Sequence, residues 1–544
     1  MPTTATRVIT EKPPFRLRPY RANAATRLAS MPESRDVVIV GGGHNGLTAA
    51  AYLALAGRRV TVLERLDCVG GAAVSTNTFA GIDARLSSYS YLVSLLPASI
   101  ISDLRLDVRL ARRRYSSYTP EPGSNRGLLI DNGDAAATAR ALGDDSAGWN
   151  ALYEHTARLA RSMFPTVTEP LLTRSEARAA LGDDTIWNEL IETPIGATIE
   201  RRLRNDLVRG VALTDALIGT FAPNFDENLD ANRCFLYHVI GNGTGDWDVP
   251  IGGMGSVTGE LARAARLAGA EIVTGAEVTS LNSEESSAVV TYRRNDEEHS
   301  LSARWVLANV APFELARLMG ETVERPEGAQ VKVNLIVKRL PRLRDATVDS
   351  AAAFGGTFHV NETWSQLDAA FATASAGQVP SPLPCEIYCH SLTDPTILSP
   401  ELRESGAHTL TVFGLHTPDR LVTSENNEAR RDELQRAVLA SLNSVLAEPI
   451  EDLLLTDAAG SPTIETKTTL DLEHALGLPG GNIFHGPLDW PFVEDDESLA
   501  SPAERWGVAT AHPRVLLCGS GARRGGAVSG IGGHNAAMAV LEAS

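Results

Sequence analysis

Apolar positions cluster into short blocks, and the clearest blocks lie near the start. Val37 to Val40 is an unbroken apolar run, an alanine-rich stretch continues to Leu55, and Arg59 to Leu63 closes on a second apolar run. Short apolar runs of this kind read as parallel strands buried on both faces, and the alanine-rich stretch between them reads as a helix ended by Gly57. Gly41, Gly43 and Gly46 fill the first strand-to-helix turn. One glycine permits the turn, one lets backbone N–H groups approach a pyrophosphate, and one lets the helix pack closely on the strand. Glu64 ends the second strand, placed to bond a ribose hydroxyl, so residues 36 to 64 predict a complete dinucleotide-binding βαβ unit.

Beyond residue 80 the pattern turns irregular, with Ser, Tyr and Leu prominent, and Tyr89 to Ile101 is its most apolar part. That stretch lines a lipophilic channel or forms core beneath the nucleotide. Strand and helix patterning returns after Pro250 as turn, helix and a strand over 271 to 278. Trp305 to Val310 is a further apolar strand, which Pro312 is expected to terminate. Near the C-terminus Val515 to Cys518 leads into a glycine-rich turn and a helix starting near Gly532, offering a second helix N-terminus to a ligand. Gly252, Gly253 and Gly255 precede a helix too, but no apolar strand leads into them, so they read as a turn and no second nucleotide site is predicted.

Composition narrows the class. The 544 residues are 43% hydrophobic and 21% charged, an ordinary balance for a globular chain with a sizeable core. No run of about 18 apolar residues is present, so no transmembrane segment is expected. A formal charge of -18 argues against nucleic acid and anionic lipid as partners. The five cysteines, Cys68, Cys234, Cys385, Cys389 and Cys518, are scattered and odd in number, which suits a reducing compartment. Cys68 stands alone near the first motif, which gives no redox dithiol. Cys385 and Cys389 with His390 lie in an apparent strand, PCEIYCH, and lack a fourth ligand, so core thiols are favoured and no metal is predicted. Residues 1–35 carry seven Lys or Arg against two Glu and read as a flexible N-terminal arm. An Arg-rich transit peptide is the other reading of that arm, weakened by Pro13, Pro14 and Pro19, and Met31 offers an alternative start. The expected location is cytoplasmic, or the mitochondrial matrix if the arm is a transit peptide.

Arg65, four further residues and Gly70-Gly71 follow the ribose acid, an extension similar to that of the glutathione-reductase-like and amine-oxidase-like flavoproteins. Together with GGGHNGL at 41 to 47, GGAA at 70 to 73, SYSYLVSLL at 88 to 96, GDWDVPIGGMGSV at 245 to 257, GGNIFHG at 480 to 486 and GGAVSGIGGHNAA at 525 to 537, it resembles the phytoene-desaturase-related flavoproteins, and among them the branch of pyridine nucleotide-disulfide oxidoreductase domain-containing protein 2. The resemblance spans almost the whole chain after residue 35. It implies FAD as cofactor and an α/β fold: a Rossmann-like FAD-binding domain of the glutathione-reductase or amine-oxidase type, assembled from 36–80, 251–312 and 505–544. An inserted α+β substrate domain takes 81–250 and 313–504. It implies that the C-terminal element returns to cover the flavin and that Val278 brings a backbone group beside the adenine. The cofactor-binding residues expected on this basis are Gly41, Gly43, His44, Asn45, Gly46, Glu64, Arg65, Gly70, Gly71, Ala72, Val278, Gly519, Gly530, Ile531, Gly532, His534 and Asn535.

The reaction class that follows is FAD-dependent dehydrogenation or desaturation of an organic, lipophilic small molecule by hydride transfer to flavin N5. With no second nucleotide module, oxygen or a quinone is the expected acceptor. The proton-accepting residue is not evident: His534 reads mainly as a structural group at a helix start, and His238 and Trp247 flank the GDWDVP segment, where packing is the default. Ala72 stands where amine oxidases often carry a basic residue, which puts amine oxidation in doubt without removing it. A non-catalytic flavoprotein acting as a scaffold or binding module is the third class, and the oligomeric state is left open.

Overall fold

The computed structural model describes residues 34–544, so the expected N-terminal arm, its transit-peptide reading and the start at Met31 lie outside the described residues, apart from the last two arm positions. Arg35 already opens the first strand, Arg35–Val40.

That strand is central to a seven-stranded sheet. It pairs in parallel with Val60–Leu63 on one side and with Glu297–Ala308 on the other. Val37, Val38 and Ile39 are fully buried because both faces of a parallel sheet are covered. Glu271–Val273 extends the sheet beyond Val60–Leu63, and Val515–Leu517 pairs in parallel with Glu297–Ala308. Ala288–Arg294 and Glu277–Ser283 add an antiparallel edge. The helix His44–Leu55 packs against Met254–Ala268 and Ile531–Glu542. Close approach there depends on Gly533, whose Cβ would lie 1.9 Å from the Asn45 carbonyl oxygen.

A second seven-stranded sheet runs in the order Ile464–Lys467, Val331–Val337, His408–Gly414, Cys385–Tyr388, Thr357–Val360, Tyr115–Pro120, Gly127–Asp131. All its pairings are antiparallel except that between Thr357–Val360 and Tyr115–Pro120. A helical layer with its own apolar core, including Ser146–Met163, Asp206–Thr214 and Asp230–Val239, packs beside it.

Three local expectations are corrected. The strand expected over 271–278 is two strands, broken where Gly275 takes φ +65° and forces a turn, so Val278 belongs to Glu277–Ser283. Pro312 does not end the strand of Trp305: that strand stops at Ala308, and Pro312 opens the helix Pro312–Leu318, where its missing N–H costs nothing. Cys389 lies outside the strand Cys385–Tyr388 and precedes the short helix His390–Thr393. Cys234, Cys385, Cys389 and Cys518 are buried free thiols, while Cys68 is exposed.

Candidate functional site

A cavity of about 440 Å³ lies between the first sheet's glycine turn and the second sheet. Of the residues expected at a cofactor, Gly41, Gly43, His44, Glu64, Arg65, Gly71, Ala72 and Val278 line it, and so do His238 and Trp247. Gly41 takes φ +99°, and a Cβ there would stand 2.6 Å from the Asn309 carbonyl oxygen. Gly43 forms a bridge with Gly70 and precedes the helix His44–Leu55 with no side chain capping it, so the N–H groups of the first turn are left for a ligand. Glu64 Oε2 accepts from the Gly42 N–H at 2.7 Å and Oε1 from the Leu66 N–H at 2.8 Å, which fixes the carboxylate at the wall with lone pairs to spare. An uncapped helix start, a glycine cradle and a fixed acid at the end of the next strand match the pyrophosphate and ribose of a dinucleotide.

The remaining expected residues are behind this wall. Gly46 faces the Gly41 carbonyl, and Gly532 faces the carbonyls of Cys518 and Gly519 at 2.8 and 2.7 Å from a would-be Cβ. Gly519 adjoins Asn309, Gly530 precedes the last helix at φ +74°, and Ile531 is core. Asn45 is fully enclosed, and Asn535 donates to the Val167 carbonyl at 3.0 Å. His534 is turned away as well: its ring packs edge-on to Tyr52 at 5.0 Å and to Trp506 at 6.0 Å, and Nδ1 bonds Asn535. It does not line the cavity, in keeping with its reading as a structural group at a helix start and against its weaker candidacy as the proton acceptor. The C-terminal segment reaches the cavity through Gly526, Ala527 and Val528, three to five residues before the helix Ile531–Glu542, together with Ser520. Its glycine-rich loop wraps inward before the helix begins, so the loop and not the helix start faces the cavity.

His44 joins the two ends of the chain at this point. Its Nε2 donates to the Ala527 carbonyl at 2.9 Å, and burial lowers its pKa to about 4, leaving a neutral imidazole. His485 in GGNIFHG also lines the cavity, takes a left-handed φ of +69°, and is lowered to about 4 by burial and by the nearby His44. His238 Nδ1 donates to the Cys234 carbonyl at 3.0 Å, and burial lowers this ring to about 4 too. The Trp247 ring packs tilted beside it at 5.1 Å, and its Nε1 donates to the His238 carbonyl.

Lys332 on the second sheet was not singled out by sequence. It is 1% exposed, faces the cavity, donates through Nζ to the carbonyls of Ser87 and Tyr89, and is held well below the usual lysine range by burial. The two bonds pin the 87–91 segment against the second sheet. Alternation within VKVNLIV places Lys332 and Asn334 on one face, and that polar interruption of an otherwise apolar strand was the available signal. Tyr91, Leu92, Leu95, Ile218, Tyr237 and Phe413 complete an apolar, aromatic wall. Among the described residues no helix is long and apolar enough to cross a membrane.

Residues 39–96 match the NAD(P)-binding Rossmann-like domain family. An uncharacterised protein of Mycobacterium tuberculosis is 57% identical over 519 residues, covering 93% of this chain and 97% of that one. Pyridine nucleotide-disulfide oxidoreductase domain-containing protein 2 of Mus musculus is 30% identical over 565 residues, covering 93% of each chain. Phytoene dehydrogenase of Streptomyces griseus is 27% identical over 365 residues, 59% of this chain and 64% of that one. Among solved structures a putrescine oxidase superposes with TM-score 0.54 at 18% identity, over 94% of this chain and 99% of the other, which is a likeness of fold.

Proposed function

The chain belongs to the family of pyridine nucleotide-disulfide oxidoreductase domain-containing protein 2 and is a FAD-dependent oxidoreductase, and on that footing we propose that it dehydrogenates an apolar organic substrate in the cavity beside the glycine turn. The observation that carries this reading is the wall formed by Tyr91, Leu92, Leu95, Ile218, Tyr237 and Phe413, which offers a hydrocarbon chain or ring dispersion contacts and excludes water. FAD, when bound, supplies the hydride acceptor at N5. Glu64 would hold the ribose, the first turn of His44–Leu55 the pyrophosphate, Val278 the adenine edge, and Gly526 to Val528 the flavin end. Lys332, fixed on the Ser87 and Tyr89 carbonyls, positions the aromatic wall against the second sheet. Oxygen or a quinone is the proposed acceptor.

The sequence likeness to phytoene dehydrogenase supports the desaturase reading over amine oxidation, to which the putrescine oxidase contributes a likeness of fold alone. Purified holoprotein mixed anaerobically with polyenes, long-chain lipids or amines tests the choice through loss of the flavin absorbance. Bleaching by an apolar hydrocarbon chain is expected. Bleaching by amines alone, with ammonia released, refutes it.

A further inference from the structure

Next to the cavity lies a buried acid pair, Glu386 and Glu362, which among the described residues forms no salt bridge with a Lys or Arg. Glu386 on Cys385–Tyr388 is the direct cross-strand partner of His359 on one side and of the cavity residue Phe413 on the other. Glu362 follows the strand of His359 through a left-handed Asn361, which turns its carboxyl back over the same face. Glu386 is 2% exposed and Glu362 is 0%.

The hydrogen-bond count at this pair is the key observation. Thr214 Oγ1 stands 2.7 Å from Glu386 Oε1 and 3.0 Å from Glu362 Oε2. A hydroxyl has one proton to donate. It satisfies one carboxylate, and its contact with the other is favourable only if that second carboxyl carries a proton and donates to the hydroxyl oxygen. The other oxygen of Glu386 accepts from the Tyr388 hydroxyl. Tyr388 in turn accepts from Tyr91 at 3.3 Å, and Tyr91 lines the cavity. The hydroxyls therefore run in an unbroken file from cavity wall to acid pair.

The remaining charged and titratable groups around the pair do not neutralise it. His359 Nδ1 lies 2.9 Å from Glu362 Oε2, but burial lowers its pKa. Asp215 adds a third carboxyl, raised to about 6, and Cys234 and Cys385 are thiols raised by burial. Arg113 acts electrostatically on Glu386, Asp215 and His359, but its own bonds go to the Trp247 carbonyl and Thr357. Burial, with repulsion from Glu362, raises Glu386 to about 8, and burial, with repulsion from Asp215, raises Glu362 well above the carboxylate range. A bound cation is the competing way to balance such a cluster, but both Glu386 oxygens already hold hydroxyls that the cation would have to displace.

We propose that Glu386 and Glu362 share a buried proton, and that the hydroxyls of Tyr388 and Tyr91 relay protons between this pair and the cavity, with Tyr91 as the end that meets substrate. In the oxidation proposed above, on which this role rests, substrate is oxidised as its hydride leaves to the flavin, which is reduced. The proton left behind enters at Tyr91 while the Tyr91 proton passes to Tyr388 and the Tyr388 proton to the ionised carboxylate. When the proposed oxygen or quinone acceptor takes the two electrons and hydrogen back from the reduced flavin, the reverse shifts deliver the stored proton through Tyr91 to the reduced acceptor, which restores the relay.

Infrared spectroscopy of the holoprotein tests the store and the relay without any substrate, and so independently of the reaction assignment. A protonated-carboxyl band is expected at neutral pH, lost when Glu362 and Glu386 are both replaced by Gln and shifted on transfer to deuterium oxide. Tyr91→Phe should keep the band but slow its deuteration by about tenfold or more, because the outlet is cut. Tyr388→Phe should do the same and guards against a folding failure in the glutamine variant. Absence of the band at neutral pH, unchanged deuteration in both phenylalanine variants, or a stoichiometric divalent metal that Glu386→Gln releases would each overturn the proposal.

Discussion

Replacing Glu64 by Gln is expected to weaken FAD binding, and the structure shows that the same change also affects the empty protein. Both carboxylate oxygens accept backbone N–H groups, from Gly42 at 2.7 Å and Leu66 at 2.8 Å. An amide has one acceptor oxygen, so in either orientation its NH₂ faces a backbone N–H. One charge-assisted bond is lost and one buried donor is left unpaired, together costing apoprotein stability about 2 kcal/mol. Loss of the charge-assisted ribose bond takes about 1.5 to 3 kcal/mol off the FAD binding free energy, which is roughly a 10- to 150-fold weaker Kd. The two effects separate experimentally: urea unfolding of apoprotein reads the first, and calorimetric titration of folded apoprotein with FAD reads the second. Reduced apoprotein stability with unchanged FAD affinity would show that Glu64 only braces the Gly42 and Leu66 turns, and the ribose role would be refuted.

Gly532→Val should lower apoprotein stability, since its Cβ meets the carbonyls of Cys518 and Gly519 and not the cavity; a folded variant of normal stability with altered flavin spectra would contradict this. Lys332→Met should leave FAD bound but slow anaerobic flavin reduction by substrate at least tenfold, by releasing the 87–91 segment, and unchanged reduction kinetics in stopped-flow would refute the positioning role. His44, His238 and His485 are lowered from 6.5 to about 4, so the unfolded chain binds more protons between those values; stability should fall as pH drops from about 6.5 to 4, and a flat thermal profile there would be contrary evidence. Glu386 runs the opposite way: raised from 4.5 to about 8, its neutral form is stabilising below pH 4.5 and that contribution is lost as pH rises through 8. Glu386→Gln should therefore gain Tm relative to wild type toward pH 8 and above but not at pH 4.5, as calorimetry at the two pH values can check.

The nucleotide side of the site was legible because its chemistry is local: turn glycines, the helix start and Glu64 fall within a stretch where neighbours in sequence are neighbours in space. The C-terminal contribution was legible as a glycine-rich segment but not to the residue, because which part of GGAVSGIGGHNAA faces the cavity depends on how the final helix docks. Gly533 must meet the Asn45 carbonyl, and that contact turns His534 toward Tyr52. Lys332, Glu386 and His359 were beyond reach for another reason. They align across four strands only through long-range register, Lys332 opposite Phe413, Phe413 opposite Glu386, Glu386 opposite His359, and no spacing within one segment encodes it.

The parallel pairing of Val37 with Trp305 sets a timetable for the newborn chain. The first strand emerges from the ribosome about 270 residues before its partner, and at typical elongation rates that is a wait of roughly 10 to 60 s. Throughout it VVIV has one flank without a strand, an edge open to unwanted pairing. His44 waits longer still, since its acceptor at Ala527 is made almost last. A nascent chain stalled before residue 297 should therefore hold no flavin and should recruit chaperones, and loading belongs after synthesis is essentially complete.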